Sequence, residues 1–230
     1  MAEEHRQRVI RQKLARMEAA RPVFVSTGFA SLDAAAGGLP RGRMVEIFGA
    51  SGSGKTTVAL HTVASLQQDG GAAAWIDAEH AFDPAYAARL GVVVEHMPVA
   101  QPETAEQALE MVRQLVLSAA VDLLVVDSAA ALTPEIELQT GIGKSGAGAQ
   151  SRVMASGLRK LSMALRGSGA TVLFLNQTRA HEGAETPAGG PPLKLFAALR
   201  ISLRVGADGT TRFRVLKNKG AQAFAEGELL

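Results

Sequence analysis

Gly49, Gly54, Lys55 and Thr56 stand at the spacing G-x-x-x-x-G-K-[ST] within MVEIFGASGSGKTTV, residues 44–58. The chemistry such a stretch can do is to hold phosphate. An apolar run ends at Gly49, a Gly/Ser loop follows, and helix-forming residues begin at Val58. Strand, loop and helix therefore arrive in the order that aims backbone N–H groups at an anion on a helix N-terminus. Gly49, Gly52 and Gly54 permit the positive φ and close approach that such a loop needs. Lys55 is expected to reach the β- and γ-phosphates of a nucleotide, and Thr56 to offer its hydroxyl to Mg²⁺. The stretch reads as a P-loop; the competing reading is a Gly/Ser turn that happens to precede a lysine.

Partners for a bound triphosphate are expected at the ends of other strands. AAAWIDAEH is an apolar run closing on Asp77, Glu79 and His80. Ligands gather at the C-terminal ends of parallel strands, so a carboxylate just past this one is placed to activate a water, and Glu79 is the candidate general base. DLLVVD, residues 122–127, buries four apolar residues and ends in Asp127, the pattern of a strand that holds Mg²⁺; Ser128 follows. TVLFLNQ, residues 171–177, ends in Asn176 and Gln177, where a sensor of the γ-phosphate could sit. Tyr86, after the helix start at Asp83-Pro84, either lies against a nucleobase or fills a gap on its helix.

These residues need a scaffold, and composition allows one. A chain of 230 residues, 47% hydrophobic, can bury a substantial core as a single domain. An α/β fold of this size commonly does so. Cys is absent, which excludes disulfides and thiolate metal sites. The first 22 residues are too charged for a secretory leader and no apolar run approaches bilayer length, so a cytoplasmic protein without a membrane partner is expected. In that segment Ile10, Leu14 and Met17 make one apolar stripe on a wet helical arm, which docks either on its own core or on a neighbouring subunit.

Charge is unevenly spread. Residues 1–140 carry 11 Lys+Arg against 17 Asp+Glu, and residues 141–230 carry 13 against 5. The basic third is either an electrostatic surface for nucleic acid or a set of solvated faces. Two irregular Gly-rich stretches interrupt it: residues 133–148, which contain Lys144, and residues 178–192. Between them runs a helix with Met154, Leu158, Leu161 and Leu165 on one side and Arg152, Arg159 and Arg166 on another; Arg152 lies nearest the first loop. LRISLRV and TRFRVLKNKG alternate as half-buried strands do, joined by a turn at residues 206–209. Lys217 and Lys219 share a face of the last strand, where the bland reading is an edge defended by charge.

The runs STGFASLDAAAGGLPRGRMVEIFG, WIDAEHAFDPAYAARLGV, QPETAEQALE, VDLLVVDSAAALTP, LNQTR and VLKNKGA resemble the bacterial RecA recombinases over residues 26–224. The resemblance implies an α/β core with a mostly parallel central sheet flanked by helices, and ATP held by Gly49, Ser51, Gly52, Ser53, Gly54, Lys55, Thr56 and Thr57, with Mg²⁺ at Thr56 and Asp127 and adenine near Asp83 and Tyr86. Glu79 matches the water-activating glutamate. Gln177 matches the glutamine that couples the γ-phosphate to the second DNA-binding loop. Lys217 and Lys219 match lysines that reach a neighbour's ATP across a filament interface. Residues 134–151 and 178–193 match the loops that grip single-stranded DNA, with Arg152, Arg159, Arg179, Gly189 and Gly190 at family positions. The implied activity is a DNA-dependent ATPase of repair, recombination and the SOS response, partnered by single-stranded DNA and, through the N-terminal helix, by itself or RecA.

Departures accompany the matches. The second loop is shorter than in RecA and lacks an aromatic or large apolar wedge, and Ala147 stands at the wedge position of the first, so DNA binding is expected to lean on charge. Pro191 and Pro192 replace residues leading into the next helix, and Leu195 replaces a phenylalanine linked to communication between ATP and DNA. The N-terminal arm, residues 1–22, is short, and the core of residues 23–230 is expected to lack the usual C-terminal domain. These features also resemble the ImuA group, RecA paralogues that act on RecA filaments and support damage-induced mutagenesis with translesion polymerase components.

Overall fold

The computed structural model describes residues 24–140, 148–181 and 184–229. The N-terminal arm, Lys144 and Ala147 lie outside the described residues. In chain order the elements begin with β1 (Phe24–Val25), α1 (Ala30–Ala36), β2 (Leu39–Pro40), β3 (Met44–Gly49) and α2 (Lys55–Gln68). β4 (Ala73–Asp77), α3 (Pro84–Arg89), β5 (Val99–Ala100), α4 (Ala105–Ser118), β6 (Leu123–Asp127) and α5 (Glu135–Leu138) follow. The second half holds α6 (Ala149–Leu165), β7 (Thr171–His181), β8 (Ala184–Pro187), α7 (Pro192–Phe196), β9 (Leu199–Val205), β10 (Thr211–Asn218) and β11 (Glu226–Glu228).

Burial on both faces is what a central parallel strand demands, and the short apolar runs meet it. Every residue of β3 and β4 is buried, and in β6 only Asp127 is partly exposed. Nine strands form the main sheet, in the order β11-β10-β9-β3-β7-β6-β4-β5 with β8 paired to β7 off that path. From β9 to β5 every neighbouring pair is parallel, and β9, β10 and β11 close that side antiparallel. β1 and β2 make a separate two-stranded sheet.

Side chains alternate across the sheet, so each face has its own core. Val45, Ile47, Trp75 and Leu173 pack with Val58, Leu60 and Val63 of α2 on one side. Ile76, Val126 and Phe174 pack with Val112 of α4 and Met154, Leu158 and Leu161 of α6 on the other. Helix ends follow local chemistry. The Thr104 hydroxyl accepts from the Gln107 N–H at 3.1 Å to start α4, and the α6 arginines Arg152 and Arg159 lie on its exposed face as its periodicity requires. Among the described residues no helix is long and apolar enough to cross a membrane.

Two expectations need correction. Residues 178–192 are not irregular throughout: β7 runs on to His181 and pairs antiparallel with β8, from Thr178 opposite Pro187 to His181 opposite Ala184. The run TRAHEGAETP has no apolar alternation from which the pairing could be read. Pro191 and Pro192 lead into α7, where proline with its preset φ suits the first helical position, and Pro192 opens the helix. Within residues 133–148, Glu135–Leu138 forms the short helix α5.

Gly49 shows how tightly β3 is held. A Cβ there would lie 2.3 Å from the Leu203 carbonyl oxygen and 2.6 Å from Ser53 Oγ. Gly49→Ala is expected to force β3 and β9 apart and to lower stability by about 1–3 kcal/mol, read from the midpoint of denaturant unfolding.

Candidate nucleotide site at the carboxyl edge of the sheet

Because β3, β7, β6 and β4 are parallel, their C-terminal ends share one edge. Gly49 sits opposite Gln177, and Asp77 opposite Asp127. The loop after β3 reaches α2 through Gly52 (φ 74) and Gly54 (φ 85), left-handed positions that suit glycine. Gly54 is the N-cap of α2, so Lys55, Thr56 and Thr57 form its first turn.

Lys55 is only 8% exposed. Its Nζ donates to the carbonyls of Ala50 (2.7 Å) and Gly49 (3.1 Å) and to Ser53 Oγ (3.4 Å). Burial pushes its pKa down, while the charges of Asp127 and Glu79 pull the other way. Thr56 Oγ1 donates to Asp127 Oδ2 at 3.0 Å. Burial raises the Asp127 carboxyl to about 6, with Glu79 and Asp77 adding to the rise and Thr56 and Lys55 opposing it. The peptide between Asp127 and Ser128 is cis.

Glu79 is exposed and held from two sides. Its Oε1 accepts from Ser128 Oγ at 2.5 Å and from Gln177 Nε2 at 2.8 Å, which leaves Oε2 open among the described residues. Asp77 is different, although it stands in the same short run. It is 1% exposed, and its oxygens accept from the N–H groups of Ala81 and Phe82, both at 3.1 Å, and from Gln101 at 2.9 Å. Asp77 thus shapes the turn after β4, and Glu79 alone of the two presents an oxygen to the cradle.

The arrangement has the parts of a Mg²⁺-triphosphate site. Among the described residues no three His, Cys, Asp or Glu side chains gather to hold a metal alone. Thr56 and Asp127 instead offer two adjacent oxygens, the partial shell that suits Mg²⁺ when phosphate supplies the rest.

The remaining sequence-predicted residues fall into three groups. Asp83 caps α3 by accepting from the Tyr86 N–H at 2.9 Å, and the Tyr86 hydroxyl shares a hydrogen with Thr57 Oγ1 at 2.8 Å. Tyr86 is half-buried against the first core, with the Arg89 guanidinium 5.5 Å from its ring centre, so it ties α3 to the P-loop helix. Lys217 does not reach the cradle of its own chain: Nζ donates to the last carbonyls of α7, Lys194 (2.8 Å) and Leu195 (3.0 Å). Burial lowers its pKa, and the charges of Lys219 and Arg200 lower it further. Lys219 is exposed just past β10.

Of the expected DNA-binding residues, Arg152 and Arg159 are exposed on α6, Arg179 lies in β7, and Gly189 and Gly190 (φ 78 and 75) follow β8. A Cβ on Gly190 would lie 3.2 Å from Ser151 Oγ, which brings this turn against the start of α6 beside Arg152. Gln150 fastens the same helix start by donating to the Leu132 carbonyl at 2.8 Å. Sequence reasoning passed over Ser128 as a donor to Glu79, since only the pairing of β4 with β6 brings the two together.

Residues 8–229 match the RecA N-terminal domain family. The chain is 49% identical over 220 residues to "Protein RecA" of Kineococcus radiotolerans, covering 89% of this chain and 63% of that protein. It is 48% identical over 228 residues to "Protein RecA" of Nocardia farcinica (92% and 66%) and 48% over 220 residues to that of Frankia alni (89% and 64%). It therefore spans a little under two thirds of the length of these relatives.

The Thr57–Tyr86 contact is a local claim that unfolding can check. Tyr86→Phe keeps the ring and removes the hydroxyl, and is expected to cost about 1 kcal/mol in urea unfolding, with an unchanged slope.

Proposed function

Since the chain belongs to the RecA family, we propose that it is a DNA-stimulated ATPase of DNA repair and recombination, acting in the SOS response and binding single-stranded DNA. The observation that carries the reading is the convergence of Lys55, Thr56, Asp127, Glu79 and Gln177 from four strand ends onto one edge. Gly49, Ser51, Gly52, Ser53, Gly54 and Thr57 complete the cradle for ATP, and adenine lies toward Asp83 and Tyr86.

In this reading Glu79 Oε2 takes a proton from a water whose oxygen attacks the γ-phosphorus, while Ser128 and Gln177 hold Oε1 and fix the carboxylate plane. The bond from the γ-phosphorus to the β-γ bridging oxygen breaks, and ADP leaves with that electron pair. Lys55 stabilises the charge that grows on the phosphate oxygens. Mg²⁺, when bound, neutralises phosphate charge beside Thr56 and Asp127. Lys217 and Lys219 act on a neighbouring subunit's ATP, for which Lys217 must leave the α7 carbonyls. Arg152, Arg159, Arg179, Lys144, Gly189 and Gly190 meet the DNA backbone. The cell compartment that fits is the cytoplasm.

A second reading is favoured by the composition of the hairpin. Residues 178–187, TRAHEGAETP, contain no Phe, Tyr, Trp, Leu, Ile or Met to wedge between bases. An ImuA-type regulator that binds RecA, limits its filaments and serves translesion synthesis would need no such wedge. Addition to preformed RecA filaments separates the two readings, because a regulator shortens them and lowers RecA turnover.

Turnover at low salt, with and without a single-stranded oligonucleotide, tests the first reading. Glu79→Gln is expected to lower it by about 100-fold with nucleotide affinity retained; no turnover by the wild type under either condition overturns the reading. Asp127 adds a pH dependence. Its carboxyl rises from 3.8 to about 6 in the fold, so the folded chain takes up a proton between those values, and its contribution to stability falls as pH rises through about 6. Mg²⁺-nucleotide uptake needs the carboxylate and runs the other way. Affinity is expected to weaken about fourfold between about pH 7.5 and about pH 5.5, and Asp127→Asn to flatten the profile.

A further inference from the structure

Asp77 closes β4 with a carboxylate that is almost wholly buried. Its hydrogen-bond partners among the described residues are all donors: the Ala81 N–H on Oδ1 (3.1 Å), the Phe82 N–H on Oδ2 (3.1 Å) and Gln101 Nε2 on Oδ2 (2.9 Å). Only a group that accepts with both oxygens satisfies all three. An asparagine in its place offers one oxygen and turns an N–H₂ group toward donors. Burying a carboxylate is costly unless it is hydrogen-bonded, and two of the three bonds that offset the cost fasten the turn that carries Glu79.

That turn, residues 78–82, is fixed at both ends. At its start the N–H groups of Ala78 (2.7 Å) and Glu79 (3.2 Å) both donate to the Asp127 carbonyl. At its end the Asp77 carboxylate holds Ala81 and Phe82, and the Phe82 ring packs with its centre 5.6 Å from that of the buried Trp75. Between the two anchors His80 has φ 54, in the left-handed region that residues other than glycine seldom adopt. Such a conformation persists where its surroundings over-determine it, and it gathers at functional sites. Here it stands next to Glu79, whose Oε1 accepts from Ser128 and Gln177.

We propose that Asp77 is a positioning residue for the activation of water: its carboxylate holds His80 in the left-handed conformation, and that reversal of the backbone sets the direction in which Glu79 enters the cradle. Gln101, just past the end of β5, takes the remaining acceptor site and keeps the carboxylate from turning. At position 80 the backbone angle matters and the imidazole does not. The inference rests on the reading of the site as an ATPase and adds to it a residue that acts through Glu79 alone.

Steady-state ATP turnover with a single-stranded oligonucleotide present is the test, run beside equilibrium binding of a fluorescent ATP analogue with Mg²⁺. Asp77→Asn is expected to lower kcat about tenfold, with analogue affinity within about twofold of wild type. On a Glu79→Gln background the same substitution is expected to cost less than about twofold more, because its effect passes through Glu79. His80→Val and His80→Gly both remove the imidazole, yet turnover of His80→Val is expected about tenfold below that of His80→Gly, since a β-branched residue resists positive φ and glycine adopts it freely. His80 is exposed, so this pair keeps the test decisive if Asp77→Asn does not fold. Equal turnover of the two His80 variants, undiminished turnover of folded Asp77→Asn, or an equal loss on both backgrounds overturns the inference and leaves the functional reading standing. Affinity that falls in step with turnover also overturns it, since that marks a purely structural role. A wild type that binds the analogue and hydrolyses nothing removes the functional reading and the inference together.

Discussion

An ammonium group held almost out of water sets the terms of this site. Lys55 is wrapped by two P-loop carbonyls and a serine hydroxyl, and burial weakens its hold on the proton. Asp127 and Glu79 restore that hold from across the cradle. The balance is incomplete on both sides: the lysine is desolvated, and so is the aspartate, whose carboxyl is lifted to about 6. A ligand that brings phosphate oxygens to the lysine and a divalent cation to the aspartate answers both deficits at once.

The fold makes this balance geometrically available. Only a run of parallel strands brings the ends of β3, β4, β6 and β7 to one edge, and each end then contributes a different group. Near-complete burial of those strands keeps the edge rigid, which matters because the contacts at Glu79 join residues far apart in the chain. On the far side of β9 the antiparallel strand β10 carries Lys217, whose ammonium donates to carbonyls of α7.

Much of this was legible in the sequence because the informative features are local. A glycine-rich turn between an apolar strand and a helix, or an apolar strand closing on aspartate, is read within a dozen residues. The central sheet, the edge where Lys55, Thr56, Asp127, Glu79 and Gln177 meet, and the two-sided α6 follow from such patterns. The features that escaped depend on which strands become neighbours. Ser128 gains a partner only when β4 lies beside β6, and Asp77 differs from Glu79 only once the turn after β4 takes both its oxygens. The β7–β8 hairpin escaped because its pairing leaves no trace in hydrophobic period, and Glu46 because one charge in an apolar strand looks like an exception until Arg200 and Asn176 are beside it.

Hydrogen bonds join the buried Glu46–Arg200–Asn176 cluster to Ala188, and Gln177 to both Ala188 and the exposed Glu79. The functional reading of the site presupposes a triphosphate in the P-loop. Equilibrium titration with a fluorescent ATP analogue, with and without Mg²⁺, tests that most directly. Saturable, Mg²⁺-dependent uptake by the wild type that Lys55→Ala abolishes is the expected result. No saturable uptake, or uptake that Lys55→Ala leaves intact, would contradict it.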